Sequence, residues 1–399
     1  MGATDRRDVR SRLYLLSFLD EFGPIYALYT LWFADHGIDA ATLTGVFILW
    51  AVMQALLEVP TGALADRVDR RSLVAVAQAL RAIGLGIWLV DPSVRGLFAG
   101  AVLWALHTAL ASGAWEALVH DELAATGLAD RYATVNARCS QFANLGILSS
   151  SAAAVALAAV DADLRVAGWS TVVLHLPAIA AVLLLPDVRH VVAEAAAEDD
   201  DAPDSFVATL RRGLEVARSR PGIARLLAVG AVLEGFFILD EYGPLLVRDR
   251  GGSDVLAAAM VALIFGGLLV GGEVAARRPE LGARAAGVLL AGGMVVTAAG
   301  LVTPSPWGIA GLALGYVGLE LVWILGDANL QKALPTTTRA TVTSVRSLGG
   351  SLCNAVAFAL VGLLAAGTDA TPGLVVGSLI LVGVGLVLFG WRTWAVRPG

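Results

Sequence analysis

Residues 19–24 read LDEFGP, and residues 239–244 read LDEYGP. Each stretch sets two adjacent acids and a proline inside an apolar run, and the second repeats the first 220 positions later. Acids are costly in the middle of a membrane-spanning segment. Their recurrence therefore needs a reason of architecture and a reason of chemistry.

The surroundings of both motifs are apolar. The 399-residue chain is 57% hydrophobic and only 16% charged, where an ordinary soluble domain is about 25% charged. Its mean hydropathy is +0.74. Apolar runs of about 20 residues, enough to cross a bilayer core of about 30 Å, fall at 13–34, 43–65, 73–90, 97–119, 132–159, 166–185, 222–247, 254–275, 284–302, 307–330, 340–365 and 373–394. These twelve runs lack strand-like alternation and are too long for barrel strands. The expectation is an all-α membrane protein with twelve transmembrane helices.

Charge placement sets the orientation. The chain has 27 Arg and one Lys. About 20 of these 28 fall on one set of helix ends and about four on the other, a bias that places both termini in the cytoplasm. The basic N-terminal tail runs straight into the first apolar segment, which reads as an uncleaved helix. Cys139 and Cys353 lie inside predicted spans and read as packing residues rather than a disulfide. No metal-ligand or nucleophile cluster is visible, so no cofactor and no enzyme activity are expected. Nothing in the sequence suits nucleic acid.

One composition break divides the chain. Residues 193–204, AEAAAEDDDAPD, are acidic and polar. They are followed by FVATLRRGLEVARS, which reads as a short amphipathic helix on the cytoplasmic membrane face. The expected organisation is a six-helix bundle over 1–190, a linker over 191–221 and a second six-helix bundle over 222–399. The halves align in order: Asp20 and Glu21 with Asp240 and Glu241, Glu58 with Glu273, Glu116 with Asp327, and Arg131 and Arg138 with Arg339 and Arg346. Two parallel, pseudo-symmetric repeats follow from that order. The acids occur twice because the half occurs twice.

The loop after the second run reads GALADRVDRRS (62–72). It resembles the G-x-L-a-D-R-x-G-R-R motif of the major facilitator superfamily, matching at Gly62, Leu64, Asp66, Arg67, Arg70 and Arg71. The twelve runs and the central linker extend the resemblance to nearly the whole chain, and EVPTGALAD resembles the twelve-helix bacterial drug/proton antiporter branch. Three positions depart from that pattern. Asp69 stands where the motif has its second glycine. The arginine usual in helix 4 has no counterpart, His107 being nearest by position. Helix 5 lacks the Gly-Pro signature of antiporters. The resemblance implies the major facilitator fold and alternating access.

Burial favours the neutral form of a carboxyl, so a buried acid facing an intermittently wet cavity can load a proton on one side and lose it on the other. One charge falling through about 100 mV yields about 2.3 kcal/mol. At about 1.4 kcal/mol per decade, that supports a roughly fifty-fold substrate gradient. Asp20, Glu21, Asp240, Glu241 and His107 are the candidates for proton coupling. The bland alternatives are fixed bonds: Asp20 or Glu21 to Arg81 or Arg138, Asp240 or Glu241 to Arg248 or Arg250, and a hydrogen-bonded histidine. Pro24 permits a kink beside the first acid pair.

Glu58, Gly62 and Asp66 share one helix face. With Arg67, Arg70 and Arg71, and with Asp121 as a partner for Arg70, the resemblance makes them a cytoplasmic gate; the alternative is that the arginines only fix topology. Glu116 is spaced i, i+4 from His120 for a local bond. Tyr26, Phe237, Glu116, Asp327, Arg138 and Arg346 are candidate cavity residues. Arg138 and Arg346 either neutralise acids or bind an anionic substrate. An apolar cavity with a few acids suits a lipophilic or cationic molecule. The expected function is proton-coupled export of small amphipathic compounds by a monomer in the inner membrane, with protons, a small molecule and the bilayer as partners. The alternatives are a symporter or uniporter importing a nutrient, and a non-pumping flippase or sensor.

Overall fold

The computed structural model describes residues 3–65, 68–128, 131–186, 211, 215–216, 218–334, 336–365, 369–391 and 394. Every helix or strand among them is helical. In chain order the α-helices are α1 (Ala3–Glu21), α2 (Tyr29–Asp35), α3 (Ala40–Ala65), α4 (Arg70–Val90), α5 (Val94–Ala125), α6 (Tyr132–Ala159), α7 (Leu164–Leu183), α8 (Pro221–Gly235), α9 (Gly243–Asp249), α10 (Asp254–Arg277), α11 (Ala283–Val302), α12 (Gly311–Ala333), α13 (Thr336–Leu364) and α14 (Thr371–Phe389). Among the described residues, ten segments are long and apolar enough to cross a membrane. The remaining two of the twelve expected spans are each broken into two helices: α1 with α2, and α8 with α9.

Both breaks fall on the repeated acidic motif. Proline lacks an N–H and pushes the preceding residue out of the helical region. Gly23 is accordingly extended (φ −143°, ψ 101°), and a 3₁₀ turn over Pro24–Ala27 follows before α2 begins. The expected kink is therefore a full interruption. Backbone groups freed inside a membrane protein must find partners. Ser150 Oγ of α6 donates to Gly23 O at 2.6 Å, and Ile25 N donates to Thr171 Oγ1 of α7 at 3.3 Å. In the second motif a turn over 236–242 separates α8 from α9. There Asp240 N donates to Tyr316 Oη of α12 at 3.1 Å.

The chain forms two compact units, Met1–His36 with Met53–Pro203, and Gly37–Val52 with Asp204–Gly399. Within the first unit, α1 packs on α6 and α4 packs on α5 and α7. Within the second, α8 packs on α13 and α11 packs on α12 and α14. Counted as spans, the pairs 1/5, 3/4 and 3/6 of one unit recur as 7/11, 9/10 and 9/12 of the other. That is the packing signature of the repeat. The units differ from the expected halves at α3, whose first half belongs to the second unit. Thr44 Oγ1 lies 2.8 Å from Tyr242 Oη, and the Phe47 ring packs 5.0 Å from Phe358 and 5.9 Å from Tyr242.

Close packing in the second unit depends on glycine. Gly287 of α11 and Gly385 of α14 face each other so closely that a Cβ on either would strike the other's carbonyl oxygen. In the first unit, Asp69 serves as N-cap of α4, accepting from Ser72 N at 3.1 Å and Ser72 Oγ at 2.5 Å. Its φ of −53° needs no glycine. The departure from the family motif at this position has a structural purpose.

Candidate substrate and proton site

The site is built on the end of α1. A carboxylate in the last turn of a helix sits at the negative end of the dipole and beside carbonyls without helical partners. Asp20 is in that position, and one cation answers both problems. Arg81 Nη1 donates to the Asp20 backbone oxygen at 2.8 Å and to Asp20 Oδ1 at 3.2 Å. Gln78, one turn earlier on α4, donates Nε2 to the same Oδ1 at 2.6 Å. The guanidinium of Arg81 is buried and lies 4.6 Å from the Tyr26 ring centroid and 4.9 Å from that of Trp104, within cation–π range.

Two histidines extend the cluster, and their hydrogen-bond partners assign their protons. His107 Nδ1 lies 2.9 Å from the Ala77 carbonyl, which can only accept, so Nδ1 carries the proton. Its Nε2 is left to accept from Arg81 Nη1 at 3.3 Å and lies 3.7 Å from Asp20 Oδ1. His175 of α7 donates Nδ1–H to Gln78 Oε1 at 2.9 Å, and Tyr26 Oη–H donates to His175 Nε2 at 3.3 Å.

Asp20 and Glu21 share a cavity of about 410 Å³ within the first unit. Gln78, Arg81, His107, Thr108, Ser112 and Trp115 supply much of the rest of its wall. Adjacent helical positions point about 100° apart, and here the two acids have different surroundings. Asp20 Oδ1 accepts from both Gln78 and Arg81. Glu21 lines the cavity with no hydrogen-bond partner among the described residues. Gly146 of α6 lies against the Phe18 carbonyl and the Cβ of Glu21, where any larger residue would collide. Tyr26 backs the cluster behind Arg81 rather than forming the cavity wall.

The other predicted residues are placed as follows. Asp240 accepts from Tyr316 Oη at 2.7 Å. Neither arginine weighed for it is its partner: Arg248 binds Asp254 at 2.9 Å, and Arg250 donates to the Leu301 carbonyl at 2.6 Å. Phe237 packs edge-on against Tyr316 with ring centroids 6.0 Å apart. Glu241 is half-buried in the same turn. Arg346 is ion-paired with Asp327 and lies 5.1 Å from the Trp323 ring; with Gly326 they border a void of only about 10 Å³. Arg138 is exposed and reaches Gln141 at 3.3 Å. Glu116 is exposed as well, and its expected bond to His120 is replaced: His120 Nδ1 lies 3.7 Å from Asp121 Oδ1.

Of the gate motif, Arg70 is ion-paired with Asp121, and Arg71 Nη1 donates to the Leu185 carbonyl at 2.8 Å. Asp66 and Arg67, and the side chains of Glu58 and Gly62, lie outside the described residues, as does most of the predicted linker helix, of which residues 211, 215–216 and 218–219 are helical. Gln78, His175 and Trp104 were not among the sequence candidates, and Arg81 entered only as a partner. Arg81 and His175 carried the signal that singled out Asp20, an ionisable group in an apolar span.

The twelve spans, the twofold recurrence of packing and the polar centre at a broken first helix define a multi-pass membrane transporter. The family model described as Major Facilitator Superfamily matches residues 13–358, and the chain belongs to that superfamily. Among solved structures, the nucleoside transporter NupG is similar, with a TM-score of 0.72, 14% identity and coverage of 96% of this chain and 100% of that one. A D-xylose-proton symporter gives a TM-score of 0.68 at 17% identity, covering 98% of this chain and 96% of that one. A POT family transporter in complex with 5-aminolevulinic acid gives 0.66 at 16%, covering 95% and 94%. At these identities the likeness is one of fold. No curated protein matches the sequence.

Proposed function

We propose that the protein is a proton-coupled secondary transporter that exports small amphipathic or lipophilic compounds, with Glu21 as the group that exchanges a proton for substrate. The observation that carries this reading is the asymmetry of the acid pair. Asp20 has its charge answered by Arg81 and Gln78, whereas Glu21 lines the cavity without a hydrogen-bond partner among the described residues. Asp20 is paired with Arg81. The cavity thus presents one uncompensated carboxyl to a guest. A proton or a positively charged amphiphile satisfies it, and the two compete. The walls that Trp104 and Trp115 contribute suit an aromatic or aliphatic body.

In this reading the bundles extend over 1–190 and 222–399, joined by the linker 191–221, and rock as units. Arg70 with Asp121, continued by Glu58, Gly62, Asp66, Arg67 and Arg71, forms the cytoplasmic gate. Asp240 and Glu241 serve the broken helix of the second unit, with Phe237 and Tyr316 around them. The chain acts as a monomer in the inner membrane with both termini in the cytoplasm, as the arginine bias favours. The test is reconstitution with an imposed pH gradient and a panel of lipophilic cations beginning with ethidium. Substrate movement against the proton flow supports antiport. Movement with the flow means symport and import, and defeats the export reading.

A further inference from the structure

Glu122, near the end of α5, is fully buried, and neither carboxylate oxygen has a hydrogen-bond partner among the described residues. Its neighbours Leu118, Val119 and Leu123 belong to an apolar cluster that includes Leu13, Leu73 and Leu185. The charged groups that face it are Arg71 from α4, Asp121 beside it, Asp69 at the N-cap of α4, and Arg12 from α1. Each has another commitment. Asp121 is paired with Arg70, and Asp69 accepts from Ser72. Arg12 is paired with Asp8 and donates to the Leu184 carbonyl. Arg71 Nη1 donates to the Leu185 carbonyl at 2.8 Å.

Those two carbonyls follow directly on the end of α7, Leu184 being its C-cap. Carbonyls at a helix C-terminus have no helical donors, and basic side chains commonly supply them. Arg12 and Arg71 thus tie α1 and α4 to the end of α7. Arg71 Nε is buried and makes no hydrogen bond, its nearest ion-pair partner being Asp69 Oδ2 at 3.8 Å. A buried carboxylate and a buried guanidinium N–H, neither of them hydrogen-bonded, thus belong to one charged cluster beside the tie. Buried polar groups in native proteins are nearly always satisfied, so a pair of exceptions calls for an explanation.

We propose that Glu122 is a proton-binding site that controls this tie. With the carboxyl protonated, Glu122 does not compete with Asp8 and Asp69 for the arginines, and they hold Leu184 and Leu185. When the Oε–H bond breaks and the proton leaves to water at this end of the bundle, the carboxylate draws the Nε edge of Arg71 to itself. Leu185 then loses its donor and the end of α7 loosens. Neither arginine changes charge; only the partner of Arg71 changes. The site is independent of the cavity and of any substrate, so it stands or falls separately from the export reading.

The test is amide hydrogen exchange of the full chain in lipid nanodiscs, followed over residues 180–185 at mildly acidic and mildly alkaline pH and corrected for intrinsic exchange. Protection in the unsubstituted protein is expected to fall severalfold on the alkaline side. Glu122→Gln is expected to remain protected at both pH values, and Glu122→Leu, which removes titration with a different shape, is expected to do the same. Arg71→Ala is expected to be poorly protected at both. A pH response retained in both Glu122 variants, no response in the unsubstituted protein, or full protection in Arg71→Ala overturns the proposal.

Discussion

Replacing Arg81 with methionine removes the one cation that answers Asp20 while keeping a side chain of similar length. An ion pair at 3.2 Å is worth about 5 kcal/mol of Coulomb energy at an effective dielectric of about 20. Breaking a buried pair from one side costs about 3–5 kcal/mol, because the remaining charge is stranded. Asp20 keeps the 2.6 Å bond from Gln78, and its side chain is 29% exposed to the cavity. Both features soften the loss toward about 3 kcal/mol. Asp20→Asn in the Arg81→Met background removes the stranded charge and is expected to recover about 2 kcal/mol. The remainder is packing lost against Tyr26 and Trp104, together with the donor to His107 Nε2. The assay is thermal unfolding in detergent of the two single variants and the double variant, read as a double-mutant cycle. A cost under about 1 kcal/mol for Arg81→Met, or strictly additive single effects, refutes the view that Arg81 is what makes Asp20 tolerable.

Three further outcomes follow from the packing. Tyr316→Phe removes the donor 2.7 Å from Asp240 Oδ1 and the acceptor of Asp240 N and is expected to cost about 1–3 kcal/mol, measured by thermal unfolding, with a smaller cost when Asp240→Ala has already removed the side-chain acceptor. Asp69→Ala removes the cap of α4 and is expected to cost about 1 kcal/mol; Asp69→Asn, which can still accept from Ser72, should restore most of it. Gly287→Ala places a Cβ against the Gly385 carbonyl and is expected to cost about 1–3 kcal/mol as α11 and α14 are forced apart, while the same change at Gly292, which has open space around it, should be nearly neutral.

The twelve spans were legible because bilayer thickness imposes length and apolarity on each, and because the halves repeat. LDEFGP and LDEYGP marked the places where spans 1 and 7 break. The extent of the break was not legible, since it depends on Ser150 and Thr171 being on hand to satisfy the freed backbone of the first. The candidate site was read by charge alone. That found Asp20, Glu21 and His107 but could not rank the two acids. Their difference comes from Gln78 and Arg81, one turn apart on α4, and from Gly146, which admits α6 beside Glu21. Gln78 carries no charge and Gly146 no side chain, so neither raised a signal in an apolar sequence. Asp69 looked like a fault in the motif loop until its bonds to Ser72 showed it to be a helix cap.

The account rests on Glu21 handling the proton while Asp20 stays fixed. The direct measurement is proton flux from proteoliposomes on addition of ethidium or another transported cation, comparing the unsubstituted protein with Glu21→Gln. Substrate-evoked proton movement is predicted in the first and none in the second, with the accumulation ratio falling from about ten-fold per unit of imposed pH gradient, for one cation exchanged per proton, to equilibration. Undiminished proton exchange in Glu21→Gln contradicts it.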